Sequence, residues 1–434
     1  MLRRHFYLKE GEMMIKKVGS VILSASLLFG NPVFAETNDE LKARIEKLEA
    51  MVLELKSELA ARTDVMPGEK SAAVSEESGA GYSGNNILKD ITLHGFVDTS
   101  YTFNTNTPDS KTNSLRVFDT QSNSFMLNLT ELSIEKTVNK ESPGGFRVDL
   151  AFGNDAEVFG SSGLGSRSDE FDLWQAYGEF MLPYTFAYLD ELDIKAGKMA
   201  TLLGAEVIES KNNWNFSRSF LFGYAIPFNH TGVRVRVKPF KEHNFNLTAG
   251  IVNGWDNVKD NNKAKTLESQ ILYSPFDNLS LAVNGIFGSE RDGINSDYRD
   301  VVDFVLTFKP MDKLTLMANY DLGFEKNGVE IGKNAQWDGV AGYIRYEILD
   351  WWALAGRGEW FHDRDGVRTG VASSLGVNDV NLWEFTVTNE FKIYKNLIFR
   401  VEFRHDGADH NVYGKDSEYI NHQNTISGEV IAYF

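Results

Sequence analysis

Charged residues recur at every second position inside apolar runs, and the chemistry of this chain is concentrated in that spacing. In FRVDLAF (146–152), Arg147 and Asp149 alternate with Phe146, Val148, Leu150 and Phe152. In GVRVRV, Arg234 and Arg236 alternate with Val233, Val235 and Val237. FRVEFRHD sets Arg400, Glu402 and Arg404 against Phe399, Val401 and Phe403, and LWEFTVTNEF sets Glu384 and Glu390 against Trp383, Phe385 and Phe391. Arg345 with Glu347, and Arg357 with Glu359, repeat the scheme. A period of two sends alternate side chains to opposite faces of a strand. One face is therefore apolar, and the other carries guanidinium and carboxylate groups. Such groups can hold a wall rigid as ion pairs or draw ions along a wet surface. Arg147–Asp149 and Arg400–Glu402–Arg404 fit the first use. Arg234 and Arg236 have no carboxylate beside them in sequence and are the better candidates for an anion-attracting ladder.

These faces require a sheet that meets hydrocarbon on one side and water on the other. A charge facing lipid at mid-membrane costs about 2–4 kcal/mol for Arg or Lys, so the charged face belongs inside. Strands are expected to start near Thr92, Ser124, Phe146, Asp172, Leu192, Thr231, Phe245, Lys265, Leu279, Tyr298, Leu314, Gln336, Trp352, Val380, Leu397 and Gln423. That is about sixteen, an even number, as a single-chain antiparallel barrel of a bacterial outer membrane requires. Short connections rich in turn formers (ESPGG, KPFKEHN, SPFDN, KPMDK, EILDW, KIYKN) alternate strictly with long ones, including 253–264, 288–299, 362–379 and 404–422. This rhythm puts both barrel ends in the periplasm. The final strand, QNTISGEVIAYF, ends on Phe434, resembling the terminal aromatic signal of outer-membrane barrels. No stretch of about 18 apolar residues follows the leader, so a helical span is excluded. Aromatic residues near strand ends (Trp174, Phe180, Trp337, Tyr346, Trp352, Trp360, Trp383) suit interfacial girdles, with some expected to pack in the lumen or loops instead.

The third long connection, 198–230, is the longest and too apolar for a free external loop. Folding inward would bury its Leu, Ile and Phe while presenting Glu206, Glu209, Lys211, Asn212, Asn213, Asn215 and Arg218 to a pore. The alternative is a loop that contacts another subunit.

Ahead of the barrel, Lys16 and Lys17, the apolar run 18–29 and Val33-Phe34-Ala35 read as a signal peptide over residues 1–35, with Met14 the expected true start. Its removal moves the net charge from −17 to −20 by taking five cations and two anions. An acidic chain of this kind is a poor partner for nucleic acid. With no cysteine, disulfides, thiolate metal sites and lipidation are excluded. Over residues 36–62, Ile45, Val52 and Leu59 fall at heptad position a, and Leu41, Leu48 and Leu55 at d, a short coiled coil. β-Branched a with Leu d favours a dimer, whereas Arg44 and Glu49 match a pattern of short trimeric coils; the trimer is the preferred reading. Residues 63–90 read as a flexible periplasmic linker.

The segments GFVDTSYTFN, LWQAYGEF, IKAGKMATLLGAEVIESKNNWNFSRSFLF, IPFNHTGVRV, NGWDNVKDNNKAKT and FRVEFRHD, in order over 91–434, resemble the OmpL-like porins, an outer-membrane β-barrel family. The resemblance implies a pore for small solutes and assigns no substrate. An enzyme is disfavoured, because no histidine sits in a Gly-x-Ser-x-Gly, His-x-Ser or HExxH setting. No cofactor or metal is expected, although Asp256, Asp260, Asn261 and Asn262 are a candidate Ca²⁺ cluster. The reading is therefore a homotrimeric, water-filled barrel among outer-membrane lipids and lipopolysaccharide, passing small hydrophilic solutes or ions. A structural or adhesive barrel, tethered to the cell wall through its coiled coil, is the alternative.

Overall fold

The computed structural model describes residues 90–434 apart from 165–169, 185–188 and 241–243. The expected signal peptide, coiled coil and nearly all of the linker lie outside the described residues. Fifteen consecutive strands run antiparallel: β1 (Thr92–Asn104), β2 (Ser124–Lys136), β3 (Gly144–Phe152), β4 (Phe171–Met181), β5 (Glu191–Ala200), β6 (Asn229–Lys238), β7 (Asn244–Val252), β8 (Thr266–Phe276), β9 (Leu279–Ser289), β10 (Tyr298–Met311), β11 (Leu314–Glu330), β12 (Lys333–Leu349), β13 (Trp352–Asp363), β14 (Val380–Tyr394) and β15 (Leu397–Ala408). A small hairpin, β16 (Tyr413–Lys415) and β17 (Glu418–Ile420), precedes β18 (His422–Tyr433). β18 pairs with both β15 and β1, so sixteen strands close into a barrel with no free edge. Closure is what lets backbone polar groups sit at membrane depth, since each finds a partner on a neighbouring strand. The first and last strands meet along Phe96↔Tyr433 to Asn104↔Thr425, and Phe434 exchanges backbone hydrogen bonds with Gly95.

Each expected strand start falls within three residues of the observed one. Alternation explains this accuracy: Val97, Phe103, Ile251, Ile271, Val340, Ile344, Phe385, Val401, Phe403, Ile426 and Val430 are exposed on the outer wall. Between them, Asp98, Ser100, Thr102, Glu384, Thr386, Thr388, Arg400 and Glu402 are buried inside.

Two expectations are corrected. Connections do not alternate strictly, because β11 and β12 are joined by only Ile331 and Gly332 at the long-loop end. Both strands have 17 residues, well beyond the roughly 9–11 needed to span a bilayer, so the hairpin projects as a paired ribbon where a loop was expected. Gly332 turns it with a left-handed backbone (φ 93°). Trp174 and Trp337, placed among the girdle aromatics, instead face inward and are buried.

The main apolar core lies inside the cylinder. Leu203, Ile208, Phe220, Leu221, Phe222, Ala225 and Ile226, all from the β5–β6 connection, pack against inward residues such as Phe96, Trp174, Ile286, Trp337, Ala341 and Phe361.

Candidate functional site

The β5–β6 connection, L3 (201–228), folds into the lumen, and the alternating charges of the wall are what hold it there. Irregular backbone inside a barrel lacks ladder partners, so its N–H and C=O groups need polar side chains. Glu359 on β13 accepts from the N–H groups of Phe220 and Leu221, both at 2.6 Å. Glu402 on β15 accepts from Phe216 N–H at 2.7 Å and Ser217 N–H at 3.0 Å. Arginines serve the carbonyls. Arg357 donates to Ser217 O (2.6 Å), Arg404 to Arg218 O (2.6 Å), and Arg400 to Ser210 O (3.0 Å) and Asn213 O (2.7 Å). The same guanidinium groups are neutralised along the wall: Arg357 by Glu384 and by Glu206 of L3, Arg400 by Glu390 and Glu429, Arg404 by Asp406. One Arg–Glu alternation thus supplies a donor and an acceptor to successive peptide groups of L3.

Several residues expected to line the pore are therefore placed elsewhere. Arg357, Arg400, Glu402 and Arg404 lie beneath L3, almost wholly removed from water. Glu206 is buried between Arg357 and Ser219. Arg218 turns back onto L3, donating to Val207 O, Phe216 O and Ile208 O. Arg234 and Arg236 are not unpaired. Arg234 makes a two-pronged bond to Glu268 on β8 (2.8 Å each), and Arg236 contacts Asp193 and Glu191 on β5. Barrel register supplies these partners, with Arg236 directly opposite Asp193. Asp193 was legible in ELDIKAG as one of three alternating charges. Glu268, two strands away, carried no local signal.

The charges that keep contact with water cluster on β2–β6, toward the short-turn end. Side-chain exposure is 38% for Arg236, 32% for Lys195 and 26% for Arg147, against 0% for Arg357 and Arg404. Each exposed cation has an acidic neighbour: Arg147 has Asp149 and Glu135, Lys195 has Glu179, and Lys238 has Asp190. Arg345 pairs with Glu390. The first half of L3 faces the same space, with Val207 and Asn212 exposed and Glu209 and Lys211 half-buried; Lys211 lies 4.9 Å from the centre of the Phe96 ring.

Sequence reasoning missed how other loops clamp the second half of L3. L1 (105–123) sends Arg116 to Asp406 (2.7 Å) and Thr425, and its Phe118 packs on Phe222 and Phe228. L7 (364–379), which includes the short helix α1 of L7, Val371–Leu375, places Arg368 4.9 Å from both Trp255 and Trp337, and Arg368 donates to Tyr224 O. The candidate Ca²⁺ cluster in L4 (253–265) is spent internally. Asp256 accepts from Phe228 N–H and Asn229 N–H, and Asp260 pairs with Lys265.

Glu290, just beyond β9, joins L4 to L5 (290–297) by accepting from Trp255 N–H (2.8 Å) and Thr266 Oγ1 (2.7 Å). Burial pushes its carboxyl up to about 7. The packed loops hold this proton more tightly than an opened segment does. Their packing is therefore strongest below the ordinary range near 4.5 and weakens as pH rises through about 7, by about 3 kcal/mol at most. Amide exchange at Trp255, corrected for intrinsic rate, should be faster at pH 8 than at pH 6, and Glu290→Gln should flatten that difference. Equal pH dependence in both proteins would reject the assignment.

A family model described as "Putative beta-barrel porin-2, OmpL-like" matches residues 90–434. No curated protein gives a significant sequence match. Among solved structures, the anion-selective porin from Comamonas acidovorans is similar at TM-score 0.53 and 9% identity, covering 79% of this chain and 99% of that one. The outer membrane channel DcaP of Acinetobacter baumannii gives TM-score 0.52 and 14% identity, covering 79% and 97%. The trimer form of OmpT, an outer membrane protein of Vibrio cholerae, gives 0.50 and 11%, covering 79% and 99%. At these identities the likeness establishes a shared barrel fold.

Proposed function

Because the chain belongs to the OmpL-like beta-barrel porin family and is an outer-membrane porin, we propose that it passes small hydrophilic solutes and ions by passive diffusion along the β2–β6 side of L3. The observation that carries this reading is the uneven wetting of the inner wall. Wall charges that grip L3, among them Arg357, Arg400, Glu402 and Arg404, are buried, while Arg147 on β3, Lys195 on β5 and Arg236 on β6 keep 26–38% of their side chains exposed. Ions would meet Arg147, Glu135, Lys195, Arg236, Glu191 and Lys211 there, a mixed set whose balance sets selectivity, whereas Asp149, expected to line the pore, is buried beneath Arg147. The long-loop end faces the exterior and the short-turn end the periplasm in this arrangement.

Residues 1–35 act as signal peptide, 36–62 as coiled coil and 63–90 as linker, with the barrel over 91–434 among outer-membrane lipids and lipopolysaccharide. Leu41, Ile45, Leu48, Val52, Leu55 and Leu59, with the Arg44–Glu49 pair, join three copies beneath the membrane. The trimer form of the Vibrio OmpT barrel supports that stoichiometry.

Purified protein in a planar bilayer under a salt gradient should give discrete conductance steps; an ion-tight bilayer would overturn the proposal. Arg236→Gln leaves Asp193 and Glu191 uncompensated on a wet wall. Its reversal potential should move several millivolts toward the cation side, and an unchanged potential would remove Arg236 from the ion path.

A further inference from the structure

We propose that Glu131, Asp149 and Glu209 form a calcium-type divalent-cation site that braces the first half of L3 against β2 and β3. One carboxylate oxygen from each lies within 4.8 Å of the others. Oxygens bound to one Ca²⁺ at about 2.4 Å can be no more than about 4.8 Å apart; the three meet that limit, and shifts of at most about 0.4 Å bring them onto a single ion. Glu131 supplies the independent sign of a ligand. It is 4% exposed, and its Oε2 has no hydrogen-bond partner. A buried carboxylate oxygen without a donor is costly, and a cation between the three groups offsets both that cost and their mutual repulsion.

The surrounding groups fit the same reading. Trp174 Nε1–H donates to Glu209 Oε1 at 3.0 Å, which orients the L3 carboxylate and leaves Oε2 available. Asp149 is already engaged, accepting from Arg147 Nε (2.8 Å), Gln175 Nε2 (2.8 Å) and Ser133 Oγ. Arg147 is therefore the resident competitor of the ion. Its guanidinium is partly exposed and already 3.7 Å from Glu135, onto which it can swing. Three hard oxygen donors without nitrogen or sulfur suit Ca²⁺ rather than Zn²⁺, with water completing the shell from the half-open side of Glu209. The site is independent of whether the passage conducts, because it is read by binding.

The test uses the full-length protein in detergent, stripped with chelator and titrated with Tb³⁺, whose emission is excited through nearby indole rings. One saturable Tb³⁺ signal displaced by Ca²⁺ is expected, with Trp174→Phe removing most of the sensitised emission. In radioactive-calcium equilibrium dialysis, Glu131→Gln and Glu209→Gln should each weaken binding at least tenfold, and Arg147→Gln should tighten it several-fold. Heat-modifiable migration in gels verifies that each variant retains its barrel, and Glu209, outside the strands, gives a second variant should Glu131→Gln misfold. Calcium binding equal in the parent and both glutamate variants would assign the ion to the acidic loops and overturn the proposal. No gain in Arg147→Gln would remove Asp149 as a ligand and overturn the three-carboxylate site.

Discussion

Replacing residues 201–228 by a short turn should raise single-channel conductance several-fold. The cut is structurally permitted because Ala200 and Asn229, at the ends of L3, are directly paired across β5 and β6. L3 contributes Leu203, Ile208, Phe220, Leu221, Phe222 and Ile226 to an apolar mass inside the cylinder, and its removal replaces that mass with water. Arg357, Glu359, Arg400, Glu402 and Arg404 would then change from buried clamps to hydrated wall groups. Sixteen paired strands remain to hold the barrel. Conductance in bilayers is the measurement, and a value equal to that of the parent would show that L3 does not limit flow.

Arg400→Ala should free the first half of L3 without opening the barrel. The guanidinium serves Ser210 O and Asn213 O on the loop and Glu390 and Glu429 on the wall, all at 2.7–3.0 Å. Removing it strands two carbonyls and leaves Glu429 without its cation, while Glu390 keeps Arg345. Losing one partner of a buried pair costs about 3–5 kcal/mol, enough to release a loop segment held by a few such bonds. Trypsin should then cut at Lys211 in detergent, where the parent resists, and channel current should become noisier. Unaltered protease resistance would show that the first half of L3 is held without the Arg400 bonds to Ser210 O and Asn213 O.

The barrel was readable because lipid on one side and polar groups on the other leave a strong period of two in most strands. Phe399, Val401 and Phe403 against Arg400, Glu402 and Arg404 could be assigned to faces without any neighbour. L3 was readable for the opposite reason, being too apolar to lie in water. Pairing between distant strands was not. Arg234 finds Glu268, 34 residues away, through strand register, which no local pattern encodes. Trp174 was misplaced because a register shift between Asp149 and Leu150 disturbs the β3–β4 ladder, so simple parity fails there. Trp337 could have been placed correctly, since it shares parity with Arg345, already assigned inward. The clamping role of the wall arginines was hidden because side chains that grip a buried loop look, in sequence, identical to side chains that line a channel.

The seam between β1 and β18 has a consequence for biogenesis. Thr102 bonds Ser427 across 325 residues of chain, so the first strand waits for the last before its second edge is satisfied. Contacts at such separation form slowly, and until they do the greasy exterior and the open edge invite aggregation. Until that seam closes, β1 keeps one edge of unpaired backbone, so the barrel is sealed only when the two ends of the chain meet.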